Sequence, residues 1–152
     1  MHLTTYLVLL DEGCGALARS LRTVAEGHAA EADVHHTALV LAGTYDDDRA
    51  ALQPFLQRYQ DHPAGPPERL HAEALTTTRS GGVGLLRDLL DLYLLATYLQ
   101  QAWMLVGQAA RGNRDHDLVH VVEACSADVG TVLTWLETRM KAAAPQALLV
   151  AD

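Results

Sequence analysis

The sequence has no run of basic residues. Its eleven Lys and Arg, only Lys141 being Lys, are scattered singly against nineteen Asp and Glu, for a net charge of −8. That excludes the basic stripe that neutralises a phosphate backbone, so no nucleic-acid partner is expected. It also excludes the polybasic cluster that holds a protein to an anionic lipid surface. Cysteine is scarce: Cys14 and Cys125 alone make neither a disulfide framework nor a metal-binding pair. Alternating polar and apolar runs are nearly absent, so strands are not expected. There is no internal repeat and no low-complexity segment. The opening MHLTTYLVLLDEG has no basic region and reaches Asp11 and Glu12 after a short apolar stretch, unlike a signal peptide. The most apolar segment, residues 85–110, carries Arg87, Asp88, Asp91, Gln100 and Gln101. It falls short of the roughly 20 apolar residues that span a bilayer. No membrane association is expected, and the location read from these absences is the cytoplasm.

What the sequence does contain is helical periodicity. At 152 residues and 49% hydrophobic content, the chain is sized for a single globular domain over 1–152 with a real core. Four amphipathic helices are predicted, over about 4–26, 29–60, 84–111 and 116–143. In the first, Leu3, Leu7, Leu10, Cys14, Leu17 and Leu21 step by three and four. The second puts Val34, Ala38, Leu41, Tyr45, Leu52, Phe55 and Tyr59 on one stripe. Gly43 and Pro54 predict a kink or break there, after which Asp46–Asp48 would cap a fresh helix. The third buries Leu85, Leu92, Leu95, Ala96, Leu99, Trp103 and Val106. Gly112 and Asn113 end it, and Asp115 caps the fourth helix. The fourth turns Leu118, Val122, Cys125, Val129, Val132, Leu136 and Met140 inward and ends at Pro145.

Loop lengths then set the topology. Helices 1 and 2 are joined by a few residues, as are helices 3 and 4, so both pairs form antiparallel hairpins. The connector 61–83 opens with prolines, and Pro66 and Pro67 before ERLHAEAL predict a short helix inside it. A helix of about 27 residues is roughly 40 Å long at about 1.5 Å per residue. An extended connector reaches roughly 75 Å at about 3.3 Å per residue. It can therefore cross the whole bundle, as in an all-α four-helix bundle with one long crossover. A simple up-down-up-down bundle, with 61–83 folded back on itself, is the alternative.

With that helix layout, and with EGHAAEADVHH opening helix 2, the chain resembles the ferritin-like four-helix superfamily, near the YciF-type stress proteins. The resemblance implies a di-iron or di-manganese centre, held by one Glu from each of two helices and Glu-x-x-His from the other two. The sequence departs from that pattern. Glu-x-x-His occurs once, at Glu68 and His71, in the connector. In helix 2 His35 follows Glu31 by four residues, and in helix 4 Ser126 stands three residues after Glu123. Glu12 lies away from the leucine stripe, and helix 3 has no Glu.

Eight histidines supply other metal candidates. Glu31, His35, His116, His120 and Glu123 are the ligating types that come closest to a set. Asp33 with His36, and Asp117 with His120, share a helix face at spacing three. His116-x-x-x-His120 is also similar to the pair used by the DinB-like helical bundles, with His28 or His35 as the third imidazole of a zinc or nickel site. Counted at about 100° per residue, His36, His116 and His120 point away from the apolar stripes. No cofactor is therefore expected, with iron, manganese or zinc as the alternative.

Acids on or beside the buried stripes are the second group. Asp88, Asp48 and Asp11 would line a polar pocket with Trp103, because a buried carboxylate demands a partner. Asp11 and Asp48 are expected at similar heights in the first hairpin, as paired acids with split pKa values. The Gly-rich run Ser80–Gly84 reads as a lead-in to helix 3.

Finally, Leu90, Leu94 and Leu105 lie opposite the main stripe of helix 3. A helix apolar on two sides must be covered on both. The expected cover is a second copy of the chain, with the tail residues Ala147–Val150 and the connector as alternatives. The functional expectation is a non-catalytic, homo-oligomeric scaffold or interaction module. A metal-binding bundle and a small-ligand-binding bundle are the alternatives.

Overall fold

The computed structural model describes residues 2–61 and 74–150. Four helices make an all-α bundle: α1 (Leu3–Gly27), α2 (Ala32–Arg58), α3 (Gly81–Gly112) and α4 (His116–Pro145). A five-residue π-helical turn, Gln146–Val150, continues from α4. There is no strand among the described residues.

Each predicted stripe is buried. In α1, Leu7, Leu10, Cys14, Leu17 and Leu21 are fully enclosed. In α2, Val34, Ala38, Tyr45 and Leu52 face inward; in α3, Leu89, Leu92, Leu99 and Trp103; in α4, Leu118, Val129, Val132 and Leu136. Each such side chain contributes roughly 1.5–3 kcal/mol when removed from water. Met140 is only half-buried. α1 packs on α2 and α3, and α4 packs on α2 and α3. Among the described residues the backbones of α1 and α4 do not approach each other closely, nor do those of α2 and α3, so these pairs are the diagonals.

Polar contacts at the bundle ends give the helix directions. Thr4 Oγ1 donates to the Tyr59 carbonyl at 3.1 Å, so α1 starts where α2 ends. Arg58 binds Asp115 at 2.9 Å, so α2 ends where α4 starts. At the far end Arg139 of α4 binds Glu31 at 2.9 Å and Asp33 at 2.8 Å, beside the start of α2. His28, just past α1, meets Asp88 near the start of α3. Leu75 N–H donates to Ser20 Oγ at 2.9 Å, and Thr78 lies against Gly27.

Several local expectations need correction. α2 runs unbroken to Arg58 through Gly43 and Pro54. Pro54 stands close to the helix end, and burial of Leu52, Phe55 and Tyr59 on one stripe keeps the backbone in register past it. Asp46–Asp48 therefore open no new helix: Asp46 pairs with Arg22, and Asp48 is buried. α3 starts at Gly81, so the Gly-rich run is its first turn rather than a lead-in. Gly81 has φ +75°, a left-handed value that glycine adopts without penalty. Gly84 lets the Arg79 backbone approach closer than a Cβ would permit. The α conformation stops at Pro145, and the wider π turn follows because Pro supplies no N–H to the helical ladder. Asp115 caps α4 as expected, accepting from Leu118 N–H at 3.1 Å. The helix expected from ERLHAEAL, and Glu68 and His71, fall on or beside residues 62–73, outside the described residues; Ala74 and Leu75 are not helical.

Candidate functional site

A polar layer crosses the middle of the bundle. α1 supplies Cys14, α2 supplies Tyr45 and Asp48, α3 supplies Trp103, and α4 supplies Cys125 and Asp128. Spacing three puts Tyr45 and Asp48 on one face of α2, and Cys125 and Asp128 on one face of α4. Tyr45, Cys14 and Trp103 are completely enclosed, Asp48 is 5% exposed, and Asp128 is half-buried. The Cys125 thiol faces Asp48, and the Trp103 indole faces Cys14. Among the described residues, Tyr45 Oη, Asp48 Oδ2 and Trp103 Nε1 are buried without a hydrogen-bond partner.

Burial dominates the electrostatics of this layer. It pushes the Asp48 carboxyl up from 3.8 to about 7, with the Asp128 charge adding to the rise. Both thiols are pushed far above the ordinary cysteine range, first by burial and then by the charge of Asp48. The Tyr45 phenol is raised for the same reason. The thiols stay protonated near neutrality, the inert state of a buried cysteine rather than that of a nucleophile.

The expected pocket of Asp88, Trp103, Asp48 and Asp11 is not one site. Only Asp48 and Trp103 belong to the layer. Asp11 faces Arg49 instead, which donates to it at 3.1 and 3.2 Å, and Gln53 adds a third bond. The acid beside Asp48 is Asp128 of α4, reached across the hairpin interface. Asp88 is fully buried at the α1–α3 end, 2.7 Å from His28 Nε2. It also accepts from Arg79 Nη1 at 2.8 Å and from the Arg79 backbone N–H at 2.9 Å. This knot ties the end of the connector to the bundle and leaves Asp88 no free oxygen.

The metal candidates do not converge. Among the described residues no three His, Cys, Asp or Glu side chains come together to hold an ion. Glu31 is paired with Arg139, and Glu123 with Arg111 at 3.0 Å. His35 Nδ1 donates to the Ala25 carbonyl at 2.8 Å and stands edge-on to His36. His116 and His120 are exposed, and they start α4 at the opposite end of the bundle from Glu31 and His35. Antiparallel packing of α2 on α4 keeps the two sets apart.

Tyr45, Cys125 and Asp128 were not expected as members of one site. The available signal was the pair of i, i+3 polar positions on facing stripes, one on each hairpin.

The outer face of α3 is a second feature. Leu90, Leu94, Met104 and Leu105 are exposed, Leu94 to 60%, and Val83 continues the row. Leu148, Leu149 and Val150 on the π turn are exposed as well. By length and composition α3 is apolar enough to cross a membrane, which corrects the expectation that it falls short. Its other side is occupied by the bundle core, with Asp88 enclosed there.

Compared with known proteins, the chain matches no family model, no curated protein and no solved structure.

Proposed function

We propose that the protein is a homo-oligomeric helical-bundle module that acts by assembly through the outer face of α3 and catalyses no reaction of its own. The observation that carries this reading is the row of solvent-facing leucines on α3, in a chain whose core is already complete behind it. These leucines are about half exposed, so covering each contributes roughly 1 kcal/mol, about half the value for full burial. The interior layer supports a non-catalytic role, because its thiols are protonated and enclosed. We also read the bundle as ferritin-like. α2 ends beside the start of α1, while α3 begins beside its end, so the connector joins opposite ends.

Leu94→Glu tests the assembly. Light scattering on the eluting peak should give a dimer or larger for the unmodified chain and a folded monomer for the variant. An unmodified chain that elutes as a monomer, or a variant that keeps the full oligomer mass, contradicts the proposal.

A second reading is favoured by the three unpartnered polar atoms of the layer, which suit a small polar ligand between the helices. Native mass spectrometry of gently purified protein would show it as an added mass. Bare multiples of the chain mass count against it.

A further inference from the structure

This inference rests on the assembly just proposed and adds its geometry. We propose that the second copy packs antiparallel on α3, with the two-fold axis beside Leu94.

The spacing of the outer face is self-complementary about that residue. Val83 stands eleven residues before Leu94 and Leu105 eleven after. Leu90 stands four before and Tyr98 four after. Reversing one copy about Leu94 sets Val83 against Leu105 of the second copy, Leu90 against its Tyr98, and Leu94 against itself. Val83, Leu90, Leu94, Tyr98 and Leu105 each meet a large apolar side chain, while Met104, at the edge of the row, comes opposite Gly84. An isologous contact requires this self-pairing.

Charge selects the same arrangement. Arg87 is the one exposed charge within the row, seven residues before Leu94. Gln101 stands seven after, so each guanidinium meets a neutral amide, one turn from the Tyr98 ring. Asp91, at the edge of the row, is neutralised within the chain by Arg79 at 2.9 Å. A parallel pair would instead bring both Arg87 residues to one height across the seam and align the two helix dipoles, both unfavourable. The charge pattern also favours a second copy over other occupants. The chain carries −8 overall, so two copies repel over most of their surfaces. The α3 row is a face where that repulsion is absent. An anionic membrane would meet the same net charge with no polybasic flank to offset it.

Site-directed crosslinking tests the register. Single variants Val83→Cys, Leu94→Cys and Leu105→Cys replace exposed residues, and the native thiols are buried from reagent. With a short bismaleimide, Leu94→Cys should crosslink to itself. Co-expressed Val83→Cys and Leu105→Cys chains should crosslink to each other, and each alone should give at least tenfold less product. Strong self-crosslinking of Val83→Cys and of Leu105→Cys would mean a parallel pair and overturn the proposal. A dimeric mass without any of these crosslinks would overturn the register and leave the assembly standing. A monomeric mass would overturn both. So would a monomer that floats with phosphatidylcholine vesicles, which would assign the row to lipid.

Discussion

Replacing Asp48 with Asn removes the titration of the most buried carboxyl of the interior layer and nearly preserves its shape. In the folded chain the Asp48 carboxyl ionises at about 7 rather than 3.8, because it is buried and because Asp128 lies close by. Between those values the unfolded chain holds fewer protons at this position than the folded one. Unfolding then releases a proton, so raising the pH through this window lowers stability; above about 7 the contribution is flat. Each pH unit of the window is worth about 1.4 kcal/mol. About two units lie between pH 5 and the folded value, so the native chain should lose about 3 kcal/mol through Asp48 between pH 5 and pH 8. Asp48→Asn should lack this loss. The assay is urea unfolding of both chains at the two pH values, and the double difference cancels the titrating groups that do not interact with Asp48. With a urea slope of about 1–3 kcal/mol/M, the midpoint of the native chain should fall by one molar or more relative to the variant. Equal losses in the two chains would refute the argument that burial beside Asp128 keeps Asp48 protonated.

Two further outcomes follow from the other buried groups. Asp88→Ala strands His28 and the Arg79 backbone N–H and should cost about 3–5 kcal/mol in chemical denaturation, with faster amide exchange over residues 74–80; a loss under 1 kcal/mol would show that the knot is not structural. At pH 8 neither thiol should react with a chromogenic disulfide in the native chain, and both should react once it is unfolded in denaturant; rapid labelling of Cys14 or Cys125 in the folded protein would contradict their enclosure.

Local physics made the four helices legible. Leu7, Leu10, Cys14, Leu17 and Leu21 need only one covered side to declare their helix, and Asp115 needs only the orphan Leu118 N–H. The limits appear where an outcome depends on a neighbouring element. Pro54 looks like a break from its own chemistry, yet the stripe on both sides of it is held against the core. Asp48 looked like a partner for Asp11 because both lie in one hairpin at one height. Their azimuths differ: Asp11 turns outward to Arg49, and Asp48 turns toward α4. That turn is fixed by how one hairpin sits on the other, which periodicity within a helix does not contain. The same holds for Asp88. Its burial was readable from the stripe, while its partners His28 and Arg79 come from two different connections. The exposed leucines of α3 were legible because a second apolar side on one helix is visible in the sequence alone.

The account turns on what covers that second side. Sedimentation equilibrium of the unmodified chain at micromolar concentration measures it directly. A mass of twice the 16.5 kDa chain is the predicted result. A single species at 16.5 kDa, unchanged with concentration, would contradict it.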